Sequence, residues 1–402
     1  MTPSRIAARV RRIKPSPSTS AADRANELRR QGKSIVNLVV GEPDFDTPPH
    51  IRQAAAAAIE QGATRYTLMA GTVELRQAIV AKLERENGLR YALNEIIATS
   101  GAKSAIYNAF AVTLEPGDEV IIPAPYWVSY PDMVLACEGT PVTVACPETN
   151  GFKLAPAQLE AAITPRTRWL LINSPSNPTG ASYTADEYRA LAEVLQRHPH
   201  VMVMTDDIYE HIRFDGGATP HLLAVAPALR ERTLVVNGVS KTYAMTGWRI
   251  GYAAGPADLV KAMDTLLSQS TGNCCSVSQA AAAAALNGDQ GFVAESVAVY
   301  RKRRDRTLAL VNEIPGLRCT PPPGAFYLYI HCGGLVGKTT PQGKRLEEDG
   351  DVVMYLLESK GVAVVAGTAY GLSPYFRLSI ATAIETLEEG CARIAQAVAA
   401  LR

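Results

Sequence analysis

The 402-residue chain is 47% hydrophobic and 20% charged, an ordinary globular composition, and it is longer than one hydrophobic core usually fills. Its 40 basic and 39 acidic side chains leave a formal charge of +1, which gives no field to draw nucleic acid or an anionic membrane. The seven cysteines are scattered and odd in number, with Cys274 beside Cys275, so no disulfide framework is expected, and no run is apolar enough to span a membrane; a cytoplasmic protein is the expectation.

The N-terminus carries Arg5, Arg9, Arg11 and Arg12 without the apolar stretch of a signal peptide. From Ile96 to Ala254, short apolar runs alternate with longer helix-like stretches. The runs are Ile96–Ala98, Val120–Ile122, Trp169–Ile172, Val201–Met204, Leu234–Val236 and Ile250–Ala253. Continuous apolar runs of this length suit strands buried on both faces, and so predict an α/β fold with a mostly parallel sheet between helices. Several runs end in polar or glycine-rich segments: Thr99 to Lys103, Asn173 to Gly180, Thr205 to Asp207, and Asn237 to Lys241. Ligands of such sheets sit beyond the carboxyl ends of the strands, which predicts one site where these segments converge. An alanine-rich stretch from Ala280 opens a helical zone running through the basic residues Arg301 to Arg304, expected to form a solvated face, until Pro321-Pro322-Pro323-Gly324 breaks it. Lys338 to Asp351 is a loop candidate. The tail alternates helix, strand (Val362–Val365), strand (Tyr375–Ile380) and helix, which predicts a smaller α+β domain. The expected division is a large domain over 48–295 and a small one from 1–47 with 296–402.

Lys241 lies just past a strand end, where desolvation lowers an amine below its usual value of about 10.4 and frees it to attack a carbonyl. A lone lysine is more often a solvated surface residue, and its setting raises this one. Arg249, preceded by Thr246-Gly247-Trp248, offers a fork for a phosphate. Asp206 follows a buried run, where a carboxylate needs a cationic partner, although capping a helix would also explain it. Ser100-Gly101-Ala102-Lys103 puts free amides at a helix start. Trp127 is a candidate to stack on a flat ligand, and Asn177 lies in a rigid turn.

Together, Ser100-Gly101-Ala102-Lys103, Pro125-Tyr126-Trp127, Asn173 to Gly180, Asp206-Asp207-Ile208-Tyr209, Ser240-Lys241 with Arg249, and Tyr375-Phe376-Arg377-Leu378-Ser379 resemble the class I aminotransferases of the aspartate aminotransferase family, in that family's order from about Ile13 onward. The resemblance implies the fold-type I architecture and pyridoxal 5'-phosphate as cofactor, with Lys241 bonding it and serving as the catalytic base. It implies Asp206 on the pyridine nitrogen, Tyr209 and Asn177 on the phenolic oxygen, and Trp127 on the ring face. Arg249, Ser240 and the amides of Gly101 and Ala102 would hold the phosphate, with Tyr66 of a second subunit in a homodimer. Arg377 would take the substrate α-carboxylate, near Gly41, Trp127 and Asn177. In the bacterial-type branch a lysine after the glycine-rich turn takes the distal carboxylate, here Lys103. The implied reaction moves an amino group from L-aspartate to 2-oxoglutarate by a ping-pong route, with prephenate, aromatic or other amino-acid transamination as the alternative and a β-lyase of the same fold behind it. One departure is Gly238, where many relatives carry a serine that contacts the phosphate; Ser240 is the expected substitute. A regulator of the same likeness would need a DNA-binding module, for which about forty residues before the first motif are expected to be too few.

Overall fold

Seven strands build the central sheet of the computed structural model, which describes residues 5–15, 17–217 and 219–402. Residues 1–4 and 16, part of the expected 1–47 segment, lie outside the described residues. In chain order the strands are β1 (Val36–Asn37), β2 (Ile96–Thr99), β3 (Glu119–Ala124), β4 (Thr140–Ala145), β5 (Thr167–Asn173), β6 (Met202–Asp206), β7 (Thr233–Gly238), β8 (Gly251–Ala254), β9 (Tyr327–His331), β10 (Val362–Ala363), β11 (Val365–Ala366) and β12 (Tyr375–Ser379). The large sheet runs β2-β8-β7-β6-β5-β3-β4, parallel throughout except that β8 is antiparallel to both its neighbours.

Alternating side chains point to opposite faces of a strand, and both faces here are covered. Ile96, Ala98, Leu170, Ile172, Val203 and Val235 enter one core, while Ile97, Trp169, Leu171, Met204, Leu234 and Val236 enter another on the far side. That two-sided burial is why these runs are apolar without a break. Smaller sheets, β11-β12-β9 and the parallel pair of β1 with β10, share a further core with the C-terminal helices, and the backbone amide of Ser379 donates to Leu38 O at 2.9 Å.

Three expectations are corrected. The helical zone is two helices, Ser276–Asn287 and Gly291–Asn312, parted where the Gln290 amide donates to Ala285 O (3.0 Å) and Gly288 O (2.8 Å); the second ends well before Pro321. The basic run is not wholly solvated, because Arg303 is only 8% exposed and its fork bonds both Asp44 oxygens at 2.7 Å. The loop expected over 338–351 gives way at Asp349 to the helix Asp349–Lys360, with the buried Asp349 carboxylate accepting from Thr368 and Tyr375.

Candidate active site

The parallel strands β2, β5, β6 and β7 deliver their carboxyl ends to one edge of the sheet, and β8, running the other way, brings its amino end there with Arg249 just before it. A cavity of about 530 Å³ opens at this edge. Lys241, Ser240, Asp206, Tyr209, Asn177, Arg377 and Arg249 line it, as do Gly41, Ala102, Lys103 and Trp127. Gly101 stands directly behind Ala102, whereas Tyr66 is 94% exposed and lies off its own chain's cavity.

Lys241 Nζ donates to Gly41 O at 2.8 Å. Burial first, opposed by Glu42 and aided by Arg249 and Arg377, brings the amine down to about 8. Asp206 is 4% exposed, and burial, with Asp207 adding to it, pushes its carboxyl up to about 6 against a donated bond from Tyr130 Oη (2.6 Å) and one from the Ile208 amide (3.3 Å).

At the helix Ala102–Thr113 the first amides have no intrahelical acceptor, and no acidic side chain occupies the first turn. Gly101 has φ 90°, and a Cβ there would meet the Arg249 guanidinium, so turn and fork are packed together. Arg249 Nη1 donates to Thr246 O (2.9 Å) and Nη2 to Ser100 O (3.2 Å). Gly238 is also closely packed: a Cβ would lie 3.0 Å from Gly251 Cα and from Ile250 O, so a serine needs the neighbouring backbone to give by a few tenths of an ångström. Ser240, facing the cavity, is the hydroxyl available instead.

Arg377 is 3% exposed, donating from Nη1 to Asn177 Oδ1 (3.0 Å) and from Nη2 to Val39 O (2.5 Å), while Nε has no partner. Its guanidinium lies over the rings of Tyr327 (4.4 Å) and Tyr370 (5.3 Å). Lys103 Nζ sits 4.7 Å from the Trp127 ring centre, and partial burial, then the charge of Arg249, lowers its pKa. Among the described residues no carboxylate pairs with Lys103, Arg249 or Arg377. Arg377, buried without a carboxylate, is costly to leave unpaired, and with the more exposed Lys103 and Arg249 nearby it favours ligands with several negative charges.

This chemistry fits a phosphorylated pyridine aldehyde. Free amides and Arg249 suit a phosphate, the buried Asp206 carboxylate suits a protonated ring nitrogen, and the lowered Lys241 amine suits an aldehyde.

Four polar side chains of the cavity carry no role assigned from the sequence. Tyr130 donates to Asp206, and Tyr327 Oη is 2.9 Å from Tyr209 Oη. Asn173 Nδ2 donates to Asp206 O (2.7 Å) and its Oδ1 accepts from the Asn177 amide (2.8 Å); Glu42 accepts from Thr246 Oγ1 (2.8 Å). Asn173, at a strand end, carried a usable signal; the other three owe their places to folding of distant segments.

The family model for aminotransferase class I and II matches residues 33–394. The chain is 54% identical over 391 residues to the aspartate aminotransferase of Rhizobium meliloti strain 1021, covering 97% of this chain and 95% of that one. It is 54% identical over 383 residues to the aspartate/prephenate aminotransferase of Cereibacter sphaeroides, covering 95% and 96%. Among solved structures, an aspartate aminotransferase from Rhizobium meliloti superposes with a TM-score of 0.97 at 52% identity over 100% of both chains. The Thermus thermophilus aspartate aminotransferase with maleate gives 0.91 at 41% identity, covering 98% and 100%.

Proposed function

Because the chain belongs to the aminotransferase class I and II family, whose aspartate aminotransferases use pyridoxal 5'-phosphate, we propose that this enzyme moves the amino group of L-aspartate to 2-oxoglutarate. The observation that carries the reading is Arg377, a buried cation with an unpartnered Nε and no carboxylate, facing the lowered amine of Lys241 across the cavity. Lys103 over the Trp127 ring supplies a second cation, which a dicarboxylate needs and a monocarboxylate does not. Maleate, the ligand in the Thermus relative's structure, is itself a dicarboxylate.

When bound, the cofactor supplies a ring into which the electrons of the broken Cα–H bond can spread. Lys241 would take the α-proton and return it on the cofactor side of the nitrogen, a 1,3 shift, a general-base role for which a pKa of about 8 suits it near neutral pH. Arg377 and Asn177 hold the α-carboxylate beside Gly41, and Lys103 holds the distal one. Asp206, steadied by Tyr130, keeps the ring nitrogen charged; Tyr209 and Asn177 donate to the phenolic oxygen, and Trp127 covers one ring face. The amides of Gly101 and Ala102, Ser240, Arg249 and Tyr66 of the partner subunit hold the phosphate. The donor's 2-oxo acid leaves before the acceptor enters, which gives ping-pong kinetics. We assign 48–295 to the cofactor-binding domain and 1–47 with 296–402 to the small domain, supported by the separate sheets and by β1 pairing with β10. A cytoplasmic location belongs to the same reading, supported by seven free cysteines and by the lack, among the described residues, of a helix able to cross a membrane.

A panel of donors and acceptors tests the assignment. Aspartate with 2-oxoglutarate is expected to be the best pair, and Lys103→Ser to raise the Michaelis constants for both far more than for alanine or phenylalanine. An even loss across all donors would remove Lys103 from the distal carboxylate. Prephenate belongs in the panel because the Cereibacter relative bears its name, and release of pyruvate and ammonia would turn the reading to a β-lyase.

A further inference from the structure

We propose that Tyr327 is a positioning residue that ties the carboxylate site at Arg377 to Tyr209, and through Tyr209 to the phenolic oxygen of the bound cofactor. The inference rests on the roles proposed above for Arg377 and Tyr209 and adds a connection between them.

Three contacts carry it. The Tyr327 ring lies beneath the Arg377 guanidinium, 4.4 Å from centroid to Cζ. The Tyr327 hydroxyl is 2.9 Å from that of Tyr209. A Cβ on Gly41 would stand 2.8 Å from the same hydroxyl, so the backbone that receives Lys241 leaves room for it only because residue 41 is glycine. Tyr327 is 1% exposed, which holds its ring in place beneath the guanidinium. The placement follows from the strand pair: β9 and β12 are antiparallel with Tyr327 opposite Ser379 and Tyr329 opposite Arg377, so Tyr327 is the diagonal neighbour of Arg377, within reach of a long side chain.

Hydrogen-bond direction then follows from the inventory of each hydroxyl. A tyrosine has one proton to donate. If Tyr209 spends it on the cofactor's phenolic oxygen, its own oxygen must accept from Tyr327. A hydroxyl that accepts a bond becomes a better donor, so the chain Tyr327 to Tyr209 to phenolic oxygen strengthens along its length. Arg377 lies at the head of this chain. Burial raises the Tyr327 pKa, and the adjacent guanidinium opposes the rise, which makes the hydroxyl a stronger donor than it would otherwise be. A substrate carboxylate on Arg377 cancels that charge, weakens the donor and slackens the far end of the chain. The groups facing Tyr327 are Tyr209, Arg377 and Tyr300; those facing Lys241 are Glu42, Arg249, Arg377 and Asp206.

The test is a spectroscopic pH titration of the cofactor-loaded protein, with and without succinate, in the wild type, Tyr327→Phe, Tyr209→Phe and the double variant. Visible absorption reports the proton shared between the Lys241 nitrogen and the phenolic oxygen, and a donated bond stabilises the anionic oxygen, so a weaker donor raises the midpoint. Tyr327→Phe keeps the ring under Arg377 and is expected to raise the midpoint by about 0.5 to 1 pH unit. The shift induced by succinate is expected to shrink, with succinate affinity changed less than about threefold, since the ring beneath Arg377 remains. Because Tyr327 acts through Tyr209, the double variant is expected to titrate like Tyr209→Phe alone. A Tyr327→Phe midpoint equal to wild type, or additive shifts in the double variant, would overturn the inference while leaving the proposed reaction intact. A wild-type spectrum indifferent to succinate would overturn both.

Discussion

At pH 7.5 an amine with a pKa of about 8 is unprotonated in roughly a quarter of molecules, against about one in a thousand at the ordinary 10.5, so the setting of Lys241 is worth more than a hundredfold in available base. Asp206 shows the opposite balance. Its carboxyl, raised to about 6, keeps a proton in the folded cofactor-free chain that the unfolded chain has lost. Its stabilising contribution is therefore full below about pH 4 and disappears as pH rises to about 6. A cationic ring nitrogen reverses the sign by pairing with the carboxylate. We expect the stability of cofactor-free Asp206→Asn to lack the decline that wild type shows between pH 4 and 6, a difference of up to about 3 kcal/mol read from denaturant melts. The same variant, loaded with cofactor, is expected to retain it but to slow α-proton removal by about 100-fold or more in single-turnover kinetics. A wild-type decline that persists in the variant would show that another group titrates there.

At the scale of elements, what could be read from the chain depended on how each strand is buried. The runs that became β2, β3, β5, β6, β7 and β8 are apolar because helices cover both their faces, and that pattern survives in sequence. Thr140–Ala145 carried no such signal because β4, unlike the buried edge strand β2, is partly exposed along its whole length and interrupted by Pro141. β1 and β10 are two residues each and exist only because they find one another across more than 300 positions. The loop after β6 is tied down by contacts with the same remote origin. Glu210 is held by Lys82, Asn87 and Asn237; burial alone would raise its carboxyl, and Lys82 and His211 overturn that and bring it to about 2. This network anchors Tyr209 and the segment leading to Lys241 from behind the cavity. Lys241, Asp206 and Asn177, which line the cavity at or just past strand ends, were legible because topology gathers strand ends there. Tyr130 and Tyr327 were not, since an aromatic residue in an apolar run looks like core whether or not its hydroxyl finds a polar partner.

The whole molecule raises the question of what Tyr66 does, exposed on its own subunit and proposed for the phosphate of another. Closed two-fold dimers exchange such residues symmetrically. Mixed dimers of Tyr66→Leu and Lys241→Ala subunits carry one site with both native residues, so co-expression is expected to restore activity well above either parent; no gain would confine Tyr66 to its own chain or to no site. The sheet, the two-sided cores and the small-domain strands all serve to bring one lysine, its pKa lowered to about 8, against a cavity lined by cations without carboxylate partners. Borohydride reduction of the cofactor-loaded protein followed by peptide mass mapping tests that directly. The cofactor is expected on the peptide containing Lys241, with no fixed cofactor in Lys241→Ala; its recovery on any other lysine, or undiminished fixation in the variant, would contradict the account.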